Sequence, residues 1–255
     1  MAFLVQGKNE FDAYLKLIRL VMEEGYKSSR YLEVLNCLLS IEYSKEEFQS
    51  FINYKEKYLQ AVGGTAKVAW QRAIRVYTTF EDRMTKPSYH KRMRDYSELL
   101  NGEVHKIDQI DTIINELSHK PKYSLLSFTI FRPVDYLLMK RPGYIPCPIA
   151  GDFKFRKGKL HLNIFFRSHD VLNFGYADIY FLRKLQLQVL DEAQQVTRHL
   201  ALKKGEIGSL NFHFSRAFLP LRMEMRKKQY INGEEIRDTI DRLLESLITN
   251  SPIIS

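Results

Sequence analysis

Residues 146–170 read PCPIAGDFKFRKGKLHLNIFFRSHD. From Gly151 onward, apolar and polar residues alternate on either side of Lys157-Gly158, the pattern of two strands joined by a two-residue turn. A hairpin returns the chain to its starting point, so Cys147 at the entrance and Arg167 at the exit can face one cavity. Cysteine becomes a nucleophile once ionised, and a neighbouring guanidinium favours the thiolate. Arg167 and Ser168 offer a planar fork and a hydroxyl to adjacent phosphate oxygens. Two carboxylates follow, Asp170 and Asp178. Each residue also has a plainer reading. Cys147 can pack as a small hydrophobe, and Arg167 can pair with Asp170 at the end of the hairpin. Asp170 and Asp178 can serve a turn and a helix start. Spacing alone does not choose between these readings.

Outward from the hairpin, helical and strand patterns succeed one another. Residues 10–24, EFDAYLKLIRLVMEE, carry apolar residues at helical spacing and stop at Gly25. Ser44 with Glu47 three residues later has capping-box spacing, which predicts a second helix there. Gly63-Gly64-Thr65 breaks the chain before a helical stretch around Trp70. The polar and basic segment 84–106 reads as a mobile loop. A helix is expected over 108–117, then a strand in KYSLLSFTIFR (122–132). After the hairpin come a long helix from about Tyr176 to Leu202 and a buried strand in GEIGSLNFHFSRAFL (205–219). A last helix is expected in EEIRDTIDRLLESL (234–247). Cys37, in VLNCLLS, reads as a structural residue in an apolar helical setting. No repeat, low-complexity tract or linker divides the chain, so one α+β domain over residues 1–255 is expected, a mixed β-sheet packed with helices.

The 255 residues are 45% hydrophobic and 13% aromatic, with 12 Gly and 8 Pro, which suits a packed core and not a disordered chain. No apolar run approaches the roughly 20 residues that cross a bilayer, so no membrane partner is expected. MAFLVQGKNEFD lacks the basic and apolar regions of a secretory signal. Two cysteines make no disulfide framework, and a cytoplasmic location is the expectation. The net charge of +9 calls for an anionic partner. Its basic residues are interspersed with acidic ones, so anionic small molecules are favoured over nucleic acid. No set of residues has the spacing of metal ligands.

Pro146-Cys147, Arg167-Ser168-x-Asp170 and Asp178, at these intervals, resemble thymidylate synthase and the related phage deoxycytidylate hydroxymethylases. YLKLIRLVMEEGYKSSR (14–30) resembles that family's first helix leading to a phosphate-binding arginine, here Arg30. GSLNFH (208–213) is similar to its GSLHVY sugar-binding strand. The resemblance is specific over 121–218 and weak over about 31–120. It implies a thymidylate-synthase-like fold and a reaction at carbon 5 of a pyrimidine nucleoside monophosphate, with 5,10-methylenetetrahydrofolate as cofactor. Cys147 would be the nucleophile at carbon 6. Arg167, Ser168 and Arg30 would hold the phosphate, and Asp170 would hold the pterin ring. Glu47, in EEFQSF, resembles the family's general acid/base glutamate, with Glu46 as the alternate. Trp70 falls near a tryptophan that flanks the folate, and Tyr89 near a tyrosine that orders catalytic water. The family assembles as a homodimer.

Departures from the family pattern bear on the substrate. Thymidylate synthases carry Asn where this chain has Asp178, whereas the hydroxymethylases carry Asp, which matches cytosine. Pro148 replaces the histidine that follows the nucleophile in the synthases. The arginine pair donated across the dimer aligns with Lys122-Tyr123, so Lys122 would keep one phosphate contact, and Arg132 could supply the other. The sugar-reading His-x-Tyr becomes Asn211-Phe212-His213, which leaves ribose and deoxyribose both open. The resemblance therefore implies first a hydroxymethylase of CMP or dCMP. A synthase-like nucleotide methylase and a non-catalytic nucleotide-binding homologue are the alternatives.

Overall fold

Phe3–Gly7 forms the first strand, β1, and Asn9 then caps the helix Glu10–Glu24 (α1) by accepting from the Asp12 amide at 2.9 Å. An oxygen there satisfies one of the N–H groups a helix start leaves open, worth about 1 kcal/mol. Ala13, Tyr14, Leu17, Ile18 and Val21 recur along α1 at helical spacing and are buried. The computed structural model describes residues 2–28, 30–81, 87–138 and 145–220, with the isolated positions 223–224, 230–231, 238, 241 and 245.

After α1 come Tyr26–Lys27 (β2) and the long strand Tyr31–Ile41 (β3). Three helices follow in close succession, Lys45–Asn53 (α2), Lys55–Val62 (α3) and Gly64–Thr78 (α4). Ser44 caps α2 by accepting from the Glu47 amide, as the capping-box spacing predicts. Tyr89–Arg94 (α5) leads into a two-stranded hairpin, Tyr96–Leu100 (β4) and Glu103–Ile107 (β5), and then Gln109–His119 (α6). Ser127–Thr129 (β6) and a 3₁₀ turn at Pro133–Leu138 precede the hairpin of Pro148–Arg156 (β7) and Lys159–Phe166 (β8). His169–Asp170 (β9), Val171–Val196 (α7), Leu200–Lys203 (α8) and Glu206–Pro220 (β10) complete the main body.

The β7–β8 hairpin forms as its alternation predicts. Arg156 pairs with Lys159, and both turn residues have positive φ, 51° at Lys157 and 76° at Gly158. That is the primed geometry whose twist matches the strands, and glycine meets it without a Cβ penalty. The sheet runs β1-β3-β10-β8-β7-β6, with β2 and β9 at its margins. β10 pairs antiparallel with β3 and parallel with β8, so the sheet is mixed. Helices cover one face, and no helix of the described residues is long and apolar enough to cross a membrane.

Several expectations are corrected. Cys37 lies on a strand, β3: Val34, Cys37, Leu39 and Ile41 are buried while Leu35, Asn36 and Leu38 are exposed, an alternation of burial that the apolar run of residues conceals. The segment read as a loop over 84–106 contains α5 and the β4–β5 hairpin, whose turn residues Asn101 and Gly102 have positive φ. The expected strand over 122–132 contracts to β6. The long helix begins earlier, at Val171, because Asp170 supplies its cap, and it stops at Val196. The helix expected over 234–247 lies largely outside the described residues, among which Asp238, Asp241 and Glu245 are helical.

A buried polar knot fixes α7 to the sheet. Arg183 Nε donates to Glu10 Oε1 at 2.7 Å, and its other nitrogens donate to Gln186 Oε1 and the carbonyls of Gly208, Ile41 and Glu42. The guanidinium donors are thus distributed over α1, α7 and the ends of two strands, and both charged side chains are fully enclosed. α7 is thereby held at a fixed height on the sheet, which matters for the residues on its first turns.

Candidate active site

A cavity of about 490 Å³ opens on the helical side of the sheet, near the mouth of the β7–β8 hairpin. Its volume lies in the ordinary range for a small-molecule site. Cys147, Arg167, Ser168, Asp170, Asp178 and Tyr89 all line it. The structure therefore brings together the motif residues that the sequence places on either side of the hairpin.

Cys147 is half-buried at the foot of β7. The Arg167 amide donates to its carbonyl oxygen at 3.0 Å. The Arg167 side chain reaches the same loop, Nε donating to Pro146 O at 2.9 Å and Nη2 to Ile145 O at 2.8 Å. Its guanidinium thus clamps the loop that presents the thiol. Tyr89, at the start of α5, also meets the backbone of Cys147. Burial first, then the charges of Cys147 and Asp178, hold the Tyr89 phenol well above the usual tyrosine range, so it stays an O–H donor.

Asp170 caps α7. One carboxylate oxygen accepts from the Asn173 amide at 3.1 Å and the other from Asn173 Nδ2 at 2.8 Å. Asn173 Oδ1, beside it, is buried with no hydrogen-bond partner. Two turns along, Asp178 is buried and accepts from the Tyr77 hydroxyl at 2.8 Å through Oδ1. Its Oδ2 lies 3.3 Å from His169 Nδ1, outside hydrogen-bond geometry. Burial, followed by the Asp178 charge, holds the Tyr77 phenol well above its ordinary value. His169 is stacked on Phe214, with ring centroids 4.5 Å apart.

A second cation, Arg216 on β10, enters from the sheet. It is paired with Glu33, lies over the rings of Tyr31 and Phe218, and directs Nη1 towards Ser168 Oγ at 3.5 Å. Arg72 on α4 lines the same cavity, as does Phe174 on α7.

Other expected site residues are placed elsewhere. Asn211 and His213 are on the opposite face of β10 from Phe212 and Phe214, because side chains alternate along a strand. Asn211 bonds with Ser40, Asn163 and Ser209, and His213 with Asn36. Glu47 accepts from Asn9 Nδ2 at 3.1 Å and is not a cavity wall. Trp70 packs among Tyr176, Tyr180 and Phe181, a core position. Arg30 and Lys122 are exposed and outside the cavity lining.

Sequence reading missed Tyr77, Arg72, Phe174 and Arg216. One signal was available: Arg72, Ala73 and Val76 form a single helical stripe on α4, and Tyr77 extends it. For Arg216 the signal was parity, since it shares the inward face of β10 with Phe212 and Phe214.

The thymidylate synthase family model matches residues 12–200. The chain is 37% identical over 98 residues to a protein named "Putative thymidylate synthase" from Methanosarcina barkeri, covering 38% of this chain and 43% of that one. Proteins of the same name match from Methanosarcina acetivorans, 35% over 99 residues (38% and 41%), and Methanococcoides burtonii, 31% over 97 residues (38% and 43%). The alignments thus span about two-fifths of the length of these curated relatives. With a thiol, a guanidinium and two carboxylates gathered at one hairpin mouth, and a family match over most of its length, the chain belongs to the thymidylate synthase family.

Proposed function

We propose that this protein installs a hydroxymethyl group at carbon 5 of a cytidylate, CMP or dCMP, with 5,10-methylenetetrahydrofolate as the one-carbon donor. The observation that carries this reading is the burial of Asp178 in the same cavity as Cys147.

The Cys147 thiolate adds to carbon 6 of the ring, forming a C–S bond and moving an electron pair to carbon 5. Cytosine offers an acceptor at N3 and donors at its 4-amino group. Asp178 meets both when one proton is shared between its carboxyl and N3. Uracil reverses the order, which suits the amide of the thymidylate synthases. Arg167 and Ser168, with Arg216 behind them, are assigned to the phosphate. Tyr89 remains a donor and is assigned to ordering water near carbon 5. The pair at carbon 5 bonds to the one-carbon unit. Loss of the carbon 5 hydrogen as a proton, with the carrier amine leaving, gives an exocyclic methylene on the ring. Addition of water there, with cleavage of the C–S bond, restores the ring double bond and the thiolate.

When bound, methylenetetrahydrofolate supplies the one-carbon unit at the oxidation level of formaldehyde. The residues present fit it: the Asp170 carboxylate on the cavity wall suits a pterin edge with paired N–H donors.

A homodimer is part of the proposal. Leu4, Leu38 and Phe165 leave an apolar surface on the sheet face opposite the cavity, with Leu4 65% exposed. Sedimentation at twice the chain mass is the expected result.

The test is tritium release from carbon-5-labelled CMP, dCMP, UMP and dUMP, with and without methylenetetrahydrofolate. Folate-dependent release from a cytidylate, abolished in Cys147→Ala, is expected. Release from a uridylate alone would favour the second reading, a synthase-like methylase, to which the names of the archaeal relatives point. That product is accompanied by dihydrofolate, which absorbs distinctly.

A further inference from the structure

A carboxyl group that reads a base has an ambiguity that an amide lacks. Its two oxygens are chemically equivalent, so a proton can reside on either one. With the proton on one oxygen the group presents acceptor then donor, and with it on the other, donor then acceptor. Those two orders suit cytosine and uracil respectively, or the reverse, according to how the base lies. A symmetric Asp178 would therefore discriminate poorly.

Asp178 is not symmetric. Tyr77 O–H donates to Oδ1 at 2.8 Å, while Oδ2 faces His169 Nδ1, which has no hydrogen-bond partner. Tyr77 is itself fixed, stacked on Phe181 with centroids 5.0 Å apart and edge-on to Tyr89 at 5.1 Å. We propose that Tyr77 is a specificity-determining positioning residue, whose hydroxyl pins Oδ1 as an acceptor and commits Asp178 to one order of donor and acceptor. A protonated carboxyl oxygen is a poor acceptor, so moving the proton to Oδ1 would forfeit the Tyr77 bond inside a buried site. The donor position of the carboxyl is thereby left to Oδ2, the oxygen that Tyr77 does not engage. Tyr77 acts through Asp178 and needs no contact with substrate.

This inference rests on the reading that Asp178 faces the base, and it is tested by calorimetric binding of CMP, dCMP, UMP and dUMP to the intact protein. Wild type is compared with Tyr77→Phe, which removes the hydroxyl and keeps the ring. The ratio of cytidylate to uridylate affinity is expected to move towards parity by roughly tenfold in Tyr77→Phe. Equal weakening of all four ligands, with the ratio unchanged, would mean that Tyr77 is merely structural and would overturn the inference. If Tyr77→Phe does not fold, 4-aminophenylalanine at position 77 retains a donor at the same reach. Keeping the wild-type ratio then supports the inference, and a relaxed ratio overturns it. A wild type that prefers uridylates would refute the cytidylate reading alone, because loss of that preference in Tyr77→Phe would still support the pinning. Binding of none of the four would overturn both.

Discussion

The main-chain N–H of Arg167 donates to the carbonyl oxygen of Cys147 at 3.0 Å, tying the last residue of the hairpin exit to the residue at its entrance. The Arg167 guanidinium adds two bonds to the preceding carbonyls. The residue that charge alone would assign to phosphate is thus also the one that shapes the nucleophile's loop.

Arg167→Lys should loosen that loop while leaving the fold intact. A lysine ammonium cannot span both carbonyls as the fork does. The rate at which a thiol reagent modifies Cys147 should change by about five- to tenfold, reflecting an altered thiolate population and access. An unchanged rate would show that the backbone bond alone sets the loop.

The two cysteines should separate cleanly. Burial pushes the Cys37 thiol up to about 11, so below that pH it is held protonated, and its thiolate emerges only as pH climbs towards it. At pH 8 roughly one part in a thousand would be ionised. Titration of the native protein with a disulfide reagent at pH 8 should therefore modify one thiol, Cys147, and two after denaturation. Modification of both in the folded state would contradict the enclosure of Cys37.

The knot around Arg183 should show as stability. Arg183→Ala leaves Glu10 enclosed without its partner, and a cost of about 3–5 kcal/mol is expected in urea denaturation. Burial, opposed by Arg183, raises the Glu10 carboxyl above 4.5. For a raised acid, the stabilising contribution is complete below the unfolded value and is lost as pH rises through the folded one. Wild type should thus lose stability relative to Glu10→Gln as pH climbs from about 4.5 towards neutrality. Parallel stability profiles for the two proteins would sink this.

Gly175→Ala should destabilise. A Cβ there would lie 2.8 Å from Tyr14 Cε2, and Tyr14 is fully buried with its hydroxyl bonded to Leu172 O. Overpacking of this kind costs about 1–3 kcal/mol. An unaltered thermal midpoint would mean that α7 shifts freely, contrary to the Arg183 anchor.

The parts of the site that sequence reveals are those governed by local rules. The hairpin was legible because alternation and a Lys-Gly turn act within twenty residues, and it carried Cys147, Arg167 and Asp170 into one place. β3 was not legible, because a strand with one face on the core and the other half-exposed offers no clean alternation, and Cys37 was misplaced with it. Asn211 and His213 were sought by motif, yet strand parity set their direction: one residue's displacement along β10 exchanges cavity for the opposite face. Tyr77 escaped notice because its role is defined by Asp178, 101 positions away.

The cavity walls come from segments far apart in the chain, from Tyr31 through Arg72, Tyr89 and Cys147 to Asp178 and Arg216. A ligand seated there is a clasp joining strands, helices and loops that no single local interaction unites. Because the unfolded chain has no such cavity, occupancy converts directly into resistance to unfolding, by about 2.7 kcal/mol at a hundredfold excess over Kd. Abundance of the folded protein would then follow supply of its own substrate, with the empty form the first to be lost to heat or proteolysis.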